Sequence, residues 1–508
     1  MKQVFISFVI VFIWTTSLFA QIYVATDGLD NNPGTIDEPL LTISNAIYMA
    51  NPGDTIYVRG GTYVSTATIY INSSSNGTED SLHCLFAYPG ELPVLDFSTQ
   101  SSGKRGISLR ANYWHIKGLE IYGAGDNGME ISAGSYNIVE QCSFHENRDS
   151  GVQLSNGAAY NRIINCDSYY NADPPDYGDA DGFAPKLTVG TGNYFYGCRS
   201  WGNCDDGWDG YLRGATDVTT TLENCWTWGN GYLKDGTDPG SQANGNGFKM
   251  GGGDNSNSEN LMHHFILKNC VAFENKVKGF DQNNNVGSMT LLNCTGFHNK
   301  SANYKITKSL FTDQILTVKN CVSFEGSVQL GGFAIQETNS WLSPFSVTDD
   351  DFISIDWSTA DAPRQPDGSL PNIEFMHLAT GSDLIDTGVD VGLPFDGSAP
   401  DLGAFETGTT ASINQPFADV PEKMHLYQNY PNPFNPETTI RFILPQAGSV
   451  SLNIYNLMGQ QVATLLDGYL SAGEHSALWQ PHQVVSGVYV YRLQMNGFTE
   501  TRKLVLQK

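Results

Sequence analysis

The sequence predicts an all-β chain: a right-handed parallel β-helix followed by a small C-terminal β-sandwich of Ig-like kind. Three observations carry that expectation. First, seven of the nine cysteines stand in one recurring phrase (EQCSF, NCDSY, GCRSW, NCWTW, NCVAF, NCTGF, NCVSF), at Cys142, Cys166, Cys198, Cys225, Cys270, Cys294 and Cys321. The gaps are 24, 32, 27, 45, 24 and 27 residues, a short period interrupted by loops. Short strands recurring at such a period describe a solenoid whose rungs are stabilised by stacking on their neighbours. Second, the phrase extends to an aromatic residue three after the cysteine (Tyr169, Trp201, Trp228, Phe273, Phe297) and an asparagine five after it (Asn147, Asn171, Asn203, Asn230, Asn275, Asn299). Third, the texture changes after residue 421 to alternating runs such as VSLNIYNL, GVYVYRLQM and TRKLVLQ, separated by turn signals. That pattern reads as a small antiparallel sandwich.

The elements follow in order. Residues 1–20 read as a secretory signal peptide, with Lys2 as the positive start, Val4 to Ile13 as the apolar stretch and Ala20 as the small residue before a cut. No later stretch has the length and apolarity of a membrane span. The β-helix is assigned to 21–407. Within it, Leu41 to Ala50 predicts a short amphipathic helix capping the open end, and Thr55 to Arg59 opens the first strand after the Pro52-Gly53 turn. Rungs continue to about residue 326. Residues 327–407 lose the cysteine phrase and read as a closing cap over the last rungs. Residues 408–421 are a linker, and 422–508 the sandwich. The seven cysteines read as a buried thiol ladder of small hydrophobes, with disulfides between rungs as the alternative; Cys84 and Cys204 fall outside it. The recurring asparagine suits a bend on each rung, because Asn tolerates left-handed backbone and bonds locally.

After each bend comes a run opening Gly-apolar: GVQL at 151, GFAP at 182, GWDG at 207, GFKM at 247 and GFDQ at 279. Aligned on that glycine, the preceding residues are Asp181, Asp206 and Asn246, and those two after it are Ala184, Asp209 and Lys249. Strand side chains alternate, so inward Trp208, Phe248, Met250 and Phe280 leave Asp209, Lys249 and Asp281 in one outward column with ~4.8 Å steps. Stacking then gathers four carboxylates, Asp181, Asp205, Asp206 and Asp209, beside Lys249. Four such groups repel unless a cation sits among them, and hard oxygen ligands suit Ca²⁺. The competing reading is a solvated charge ladder. An EF-hand beginning at Asp179 is excluded because its twelfth position is Gly190, and NGNGFKMGGG lacks the GK[ST] ending of a phosphate loop.

Two family resemblances rest on these residues. DADGFAPK, GCRSWGNCDDGWD, NGFKMGG and NCVAFENKVKGFDQNNN, with RQPDGSLP and APDLGAFE near the end, resemble the family-nine polysaccharide lyases of pectate-lyase type. The resemblance implies Ca²⁺ held by Asp181, Asp205, Asp206 and Asp209, and Lys249 as catalytic base; none of the five positions departs from the family pattern. YQNYPNPFNPETTI, NIYNLMGQQV and GVYVYRLQ resemble the C-terminal sorting domains of the bacterial type IX secretion system, which implies export to the cell surface or the medium. Arg213, Arg199, Asn246, Lys276 and Lys278 are candidates for gripping substrate carboxylates.

The chemistry fits on its own terms. A uronate C5 proton is weakly acidic because its removal adds charge beside a carboxylate. A cation there stabilises that charge, and a base then completes β-elimination. Lysine serves only when neutral, so an alkaline optimum is expected. The formal charge of −26, from 53 acidic and 27 basic residues, argues against nucleic acid and anionic membrane as partners. It would also repel a polyanionic substrate unless Ca²⁺ bridged the two. The expected partners are thus an acidic polysaccharide (polygalacturonate or pectin) and the secretion machinery, and a monomer is expected. Two other functions compete: a β-helical glycoside hydrolase using paired acids, which leaves Lys249 without a role, and a non-catalytic surface binder.

Overall fold

The computed structural model describes residues 20–253, 261–408 and most of 425–507. The expected signal peptide and linker lie almost wholly outside these residues. Residues 20–408 and the C-terminal stretch form two separate compact units.

The first unit coils through three parallel sheets. A twelve-stranded sheet runs from Gln21–Val24 to Ile335–Glu337. A ten-stranded lateral sheet runs from Gly61–Val64 to Val322–Phe324, and a second ten-stranded sheet, which carries the candidate site, from Ile69–Ile71 to Val328–Leu330. Each turn of the coil contributes one short strand to each sheet in that order. The first strand is Gln21–Val24, paired with Thr55–Val58; the sequence reading started one strand late because YVATDG is too short to alternate visibly. The last strands end at Glu337, one rung beyond the expected limit. The capping helix spans Ile43–Met49, with Thr42 accepting the Asn45 N–H as N-cap and Ile43, Ala46 and Ile47 buried against the first rungs.

The repeat phrase explains the corners of the coil. The residue before each ladder cysteine takes left-handed backbone: Gln141, Asn165, Gly197, Asn224, Asn269, Asn293 and Asn320, with φ from 49 to 61°. The residue before each recurring asparagine does the same, at Glu146, Tyr170, Gly202, Gly229, Glu274 and His298. The asparagines five after the cysteine therefore do not supply the bend. They line the interior as an amide ladder, each Nδ2 donating to the Oδ1 one rung on, from Asn147 through Asn171, Asn203, Asn230 and Asn275 to Asn299, at 2.8 to 3.0 Å. A buried amide on every rung is stable because each finds its partner in the next.

The cysteines are free and the seven of the phrase are buried. Six of the seven thiols reach backbone carbonyls of the preceding rung, as Cys198 Sγ does to Ile163 O at 3.3 Å. The aromatic residues stack too. His145, Tyr169, Trp201, Trp228 and Phe273 form a column on the lateral sheet with centroids 4.3 to 5.3 Å apart and planes within 8°. A second column, Phe183, Trp208, Phe248, Phe280 and Tyr304, fills the interior behind the site sheet at 4.7 to 5.2 Å.

Trp341 packs on Tyr304 at the end of the interior aromatic column, and the residues after it run elsewhere. They lie along the outer face of the lateral sheet, where Phe352, Phe375, Leu378, Leu384 and Leu402 pack with Trp226, Trp228, Phe273, Phe297 and Phe324 into a second core. The outward aromatic column is apolar because this segment covers it.

The C-terminal unit pairs a three-stranded antiparallel sheet (His425–Leu426, Thr438–Leu444, Gly473–Trp479) with a four-stranded one (Gln461–Leu470, Gly448–Asn456, Gly487–Met495, Phe498–Leu506). Phe442, Leu452, Ile454, Trp479, Tyr491 and Leu504 share one core. This is the expected sandwich.

Candidate active site

The site lies on the outer face of the site sheet, where four neighbouring strands, Phe183–Pro185, Trp208–Tyr211, Phe248–Gly252 and Lys278–Asp281, stack in register. Phe183, Trp208, Phe248 and Phe280 anchor the register inward. Parity then sends Asp209, Lys249 and Asp281 outward as direct neighbours, as the alternation predicts. The outward row is not a solvated ladder: Lys249 is 12% exposed and Asp209 7% by side chain.

Lys249 Nζ sits 2.9 Å from Asp206 Oδ2 and 3.4 Å from Asp209 Oδ1. Asp206 Oδ1 accepts both the backbone N–H and the side-chain amide of Asn246, at 2.7 and 2.8 Å. Asp209 Oδ1 accepts the Tyr211 N–H at 2.9 Å. Asp181 Oδ1 accepts the Asp206 N–H at 3.2 Å. Asp181, Asp206 and Asp209 offer carboxylate oxygens within 4.8 Å of one another. Asp205 is buried beside them but outside that group, its carboxylate turned to the Asn244 backbone N–H. Burial pushes the carboxyls of Asp181, Asp205 and Asp206 above the usual range. Burial works to lower the Lys249 ammonium, but Asp206, Asp209, Asp205 and Asp181 outweigh it and hold Lys249 well above its ordinary value.

The substrate-contact candidates divide. Asn246 is in the site, and its Oδ1 is buried with no hydrogen-bond partner. Lys278 lies one rung further on, 3.0 Å from Asp281. Arg213 follows the Asp209 strand, its guanidinium 5.7 Å from the Tyr211 ring centroid. Lys276 is committed elsewhere: its Nζ ties down the 238–240 loop through Asp238 at 2.6 Å and Gly240 O at 2.8 Å. Arg199 is a correction. It lies on the lateral sheet, 3% exposed, bound bidentately to Asp167 and donating to the carbonyls of Ala360 and Ala362. Arg364 grips the same Asp167 from the covering segment at 2.7 Å. Burial opposes the Asp167 charge, yet the two guanidiniums hold its carboxyl below the usual range. Arg199 thus fastens the covering segment, on a different sheet from the acids and Lys249.

Lys186 was not singled out by its sequence. It is buried and its Nζ lies 2.7 Å from Asp181 Oδ2. A lysine just past a short strand reads as a surface residue; only its place at the end of the DADGFAPK motif hints otherwise.

The rungs before the site carry diluted versions of its phrase. DNGME at 126–130 and DSGVQ at 149–153 stand in register with DDGWD at 205–209. At the first of them Arg105 pairs with Glu130 at 3.0 Å.

The donors suit a hard divalent cation. Three close carboxylates and the partnerless oxygen of Asn246 are oxygen ligands of the type Ca²⁺ prefers.

A parallel β-helix with clustered acids beside a lysine on one outer sheet face defines a class, the β-helical polysaccharide lyases. Residues 22–329 match the family model described as the Pel9A-like right-handed β-helix region, and the chain belongs to that family. Residues 428–507 match the secretion system C-terminal sorting domain. Pectate lyase L of Paenibacillus polymyxa (strain SC2) is 40% identical over 401 residues, 74% of this chain and 86% of the relative. Pectate lyase PEL9 of Emericella nidulans is 34% identical over 72% of this chain and 94% of its own. The crystal structure of pectate lyase Pel9A superposes with a TM-score of 0.70 at 35% identity, covering 77% of this chain and 97% of that one. A rhamnogalacturonan lyase structure superposes at 0.61 with 25% identity, covering 71% and 97%. The chain is a polysaccharide lyase.

Proposed function

We propose that this protein is an exported Ca²⁺-dependent pectate lyase that cleaves polygalacturonate by β-elimination, with Lys249 as the base. The observation that carries the reading is the arrangement of Lys249 within 3.4 Å of two carboxylates of a buried three-acid group. Asp181, Asp206 and Asp209, with Asp205 beside them, would hold the ion. Bound there, Ca²⁺ would supply a Lewis acid for the uronate carboxylate and stabilise charge developing next to it.

The chain's own residues do the rest. Asp206 and Asp209 fix the Lys249 amine on the outward face. Neutral Lys249 Nζ takes the C5 proton, the C–H electron pair becomes the C4–C5 double bond, and the C4–O bond breaks. The leaving oxygen takes a proton from solvent. Because the surrounding carboxylates favour the ammonium, activity rises with pH on the alkaline side. The sorting domain supports delivery through the type IX route to the surface or the medium.

The test follows ultraviolet absorbance of the unsaturated product from polygalacturonate at alkaline pH, with Ca²⁺, then chelator, beside Lys249→Ala. Absorbance should need Ca²⁺ and fall by ~10²–10⁴-fold in the variant. New reducing ends without absorbance would overturn elimination in favour of hydrolysis. A second substrate, rhamnogalacturonan, is favoured by the likeness to the rhamnogalacturonan lyase structure, and the same assay on that polymer decides between them.

A further inference from the structure

The site holds a second buried lysine to which the elimination gives no task. Lys186 is 6% exposed by side chain, and its ammonium lies 2.7 Å from Asp181 Oδ2 while donating to Asp179 O at 3.1 Å. The Ser150 hydroxyl lies 3.2 Å from the same Asp181 oxygen and 3.0 Å from Asp179 O, its one hydrogen shared between them. The other oxygen, Oδ1, accepts the Asp206 N–H. Three donors from three successive rungs therefore fix this carboxylate at both oxygens. Asp181 stands on the rung before Asp206 and Asp209, and these contacts set the direction in which it faces them.

We propose that Lys186 is a positioning residue for divalent-cation binding: by holding Asp181 Oδ2 together with Ser150, it presents the carboxylate to the ion shared with Asp206 and Asp209. The inference rests on the Ca²⁺-dependent reading above. It has a distinguishing sign. As a mere positive neighbour, Lys186 repels the cation, and its removal would tighten binding. As an orienting donor, its removal weakens binding, as loss of an outer-sphere partner does, by ~10–100-fold.

The experiment is calorimetric titration of Ca²⁺ into chelator-stripped full-length protein, wild type beside Lys186→Met, with melting temperatures in chelator and in Ca²⁺. Under the proposal Lys186→Met binds Ca²⁺ at least tenfold more weakly, and the Ca²⁺-dependent rise in melting temperature shrinks with it. Equal or tighter binding overturns the proposal. So does a lower melting temperature in chelator with an unchanged Ca²⁺-dependent rise, since that marks a purely structural lysine. If Lys186→Met does not fold, Ser150→Ala removes the second donor to the same oxygen: weaker Ca²⁺ binding supports the proposal and unchanged binding overturns it. Wild-type protein that binds no Ca²⁺ would instead overturn the underlying metal reading, and this inference with it.

Discussion

At the scale of single residues, the site shows what strand parity reveals and what it hides. Asp209, Lys249 and Asp281 were legible because each follows an inward aromatic by one position. Asp181 and Asp206 were legible through the shared glycine. Lys186 was hidden because nothing local to it signals burial, and Arg199 misled because the carbonyls it binds come from residues about 160 positions away. Another residue that sequence left unmarked is His263. It is fully enclosed, with Nδ1 on Gly210 O and Nε2 on Thr220 Oγ1, each at 2.8 Å, directly behind the Asp209 strand. Burial lowers it from 6.5 to about 4. The unfolded chain therefore binds the extra proton between those values. The contribution of His263 is complete above about pH 6.5 and is lost as pH falls towards 4, on the order of 3 kcal/mol. Glu406, half-buried and raised by burial to about 7, runs the opposite way, its contribution falling as pH rises from 4.5. Melting curves of wild type and His263→Asn between pH 4 and 7 separate the two: the variant should lose the acid-side slope. An unchanged slope would assign acid sensitivity to other groups.

At the scale of elements, the repeated phrase disclosed the strands and the ladders, yet it did not say which of its two asparagines turns the chain. Both corner and ladder positions favour Asn, one for left-handed backbone and the other for an amide that both donates and accepts. Substituting a ladder member tests the second role. Asn203→Ala removes the oxygen that accepts both the backbone and the side-chain N–H of Asn171, and one of the two donors to Asn230 Oδ1, and should cost ~2–4 kcal/mol in denaturant melts. A cost under ~0.5 kcal/mol, the range of an ordinary surface change, would mean water replaces the ladder. The segment over the lateral sheet has no local signal of its place because its anchors are tertiary. Its main polar fastening is Asp167 between Arg199 and Arg364. Asp167→Asn strands two buried guanidiniums and should cost ~3–5 kcal/mol. Limited proteolysis should then cut first between residues 340 and 407. Wild-type resistance in the variant would show that the apolar contacts alone hold the segment.

At the scale of the whole molecule, the chain is two units with separate cores. A chain ending at residue 408 retains every site residue, so its kcat on polygalacturonate should stay within about twofold of the full chain, the range of a change remote from the site. A larger loss would assign the sandwich a part in catalysis. The covered column of rings has a further consequence, for light. Tyr169, Trp201 and Trp228 lie face to face at 4.3 and 4.9 Å with nearly parallel planes, close enough for their electronic transitions to mix. The rungs that carry them come from separate turns of the coil, so no single turn can produce that coupling. An exciton couplet in the near-ultraviolet circular dichroism is therefore a built-in reporter of turns docking upon one another, readable during refolding without any label.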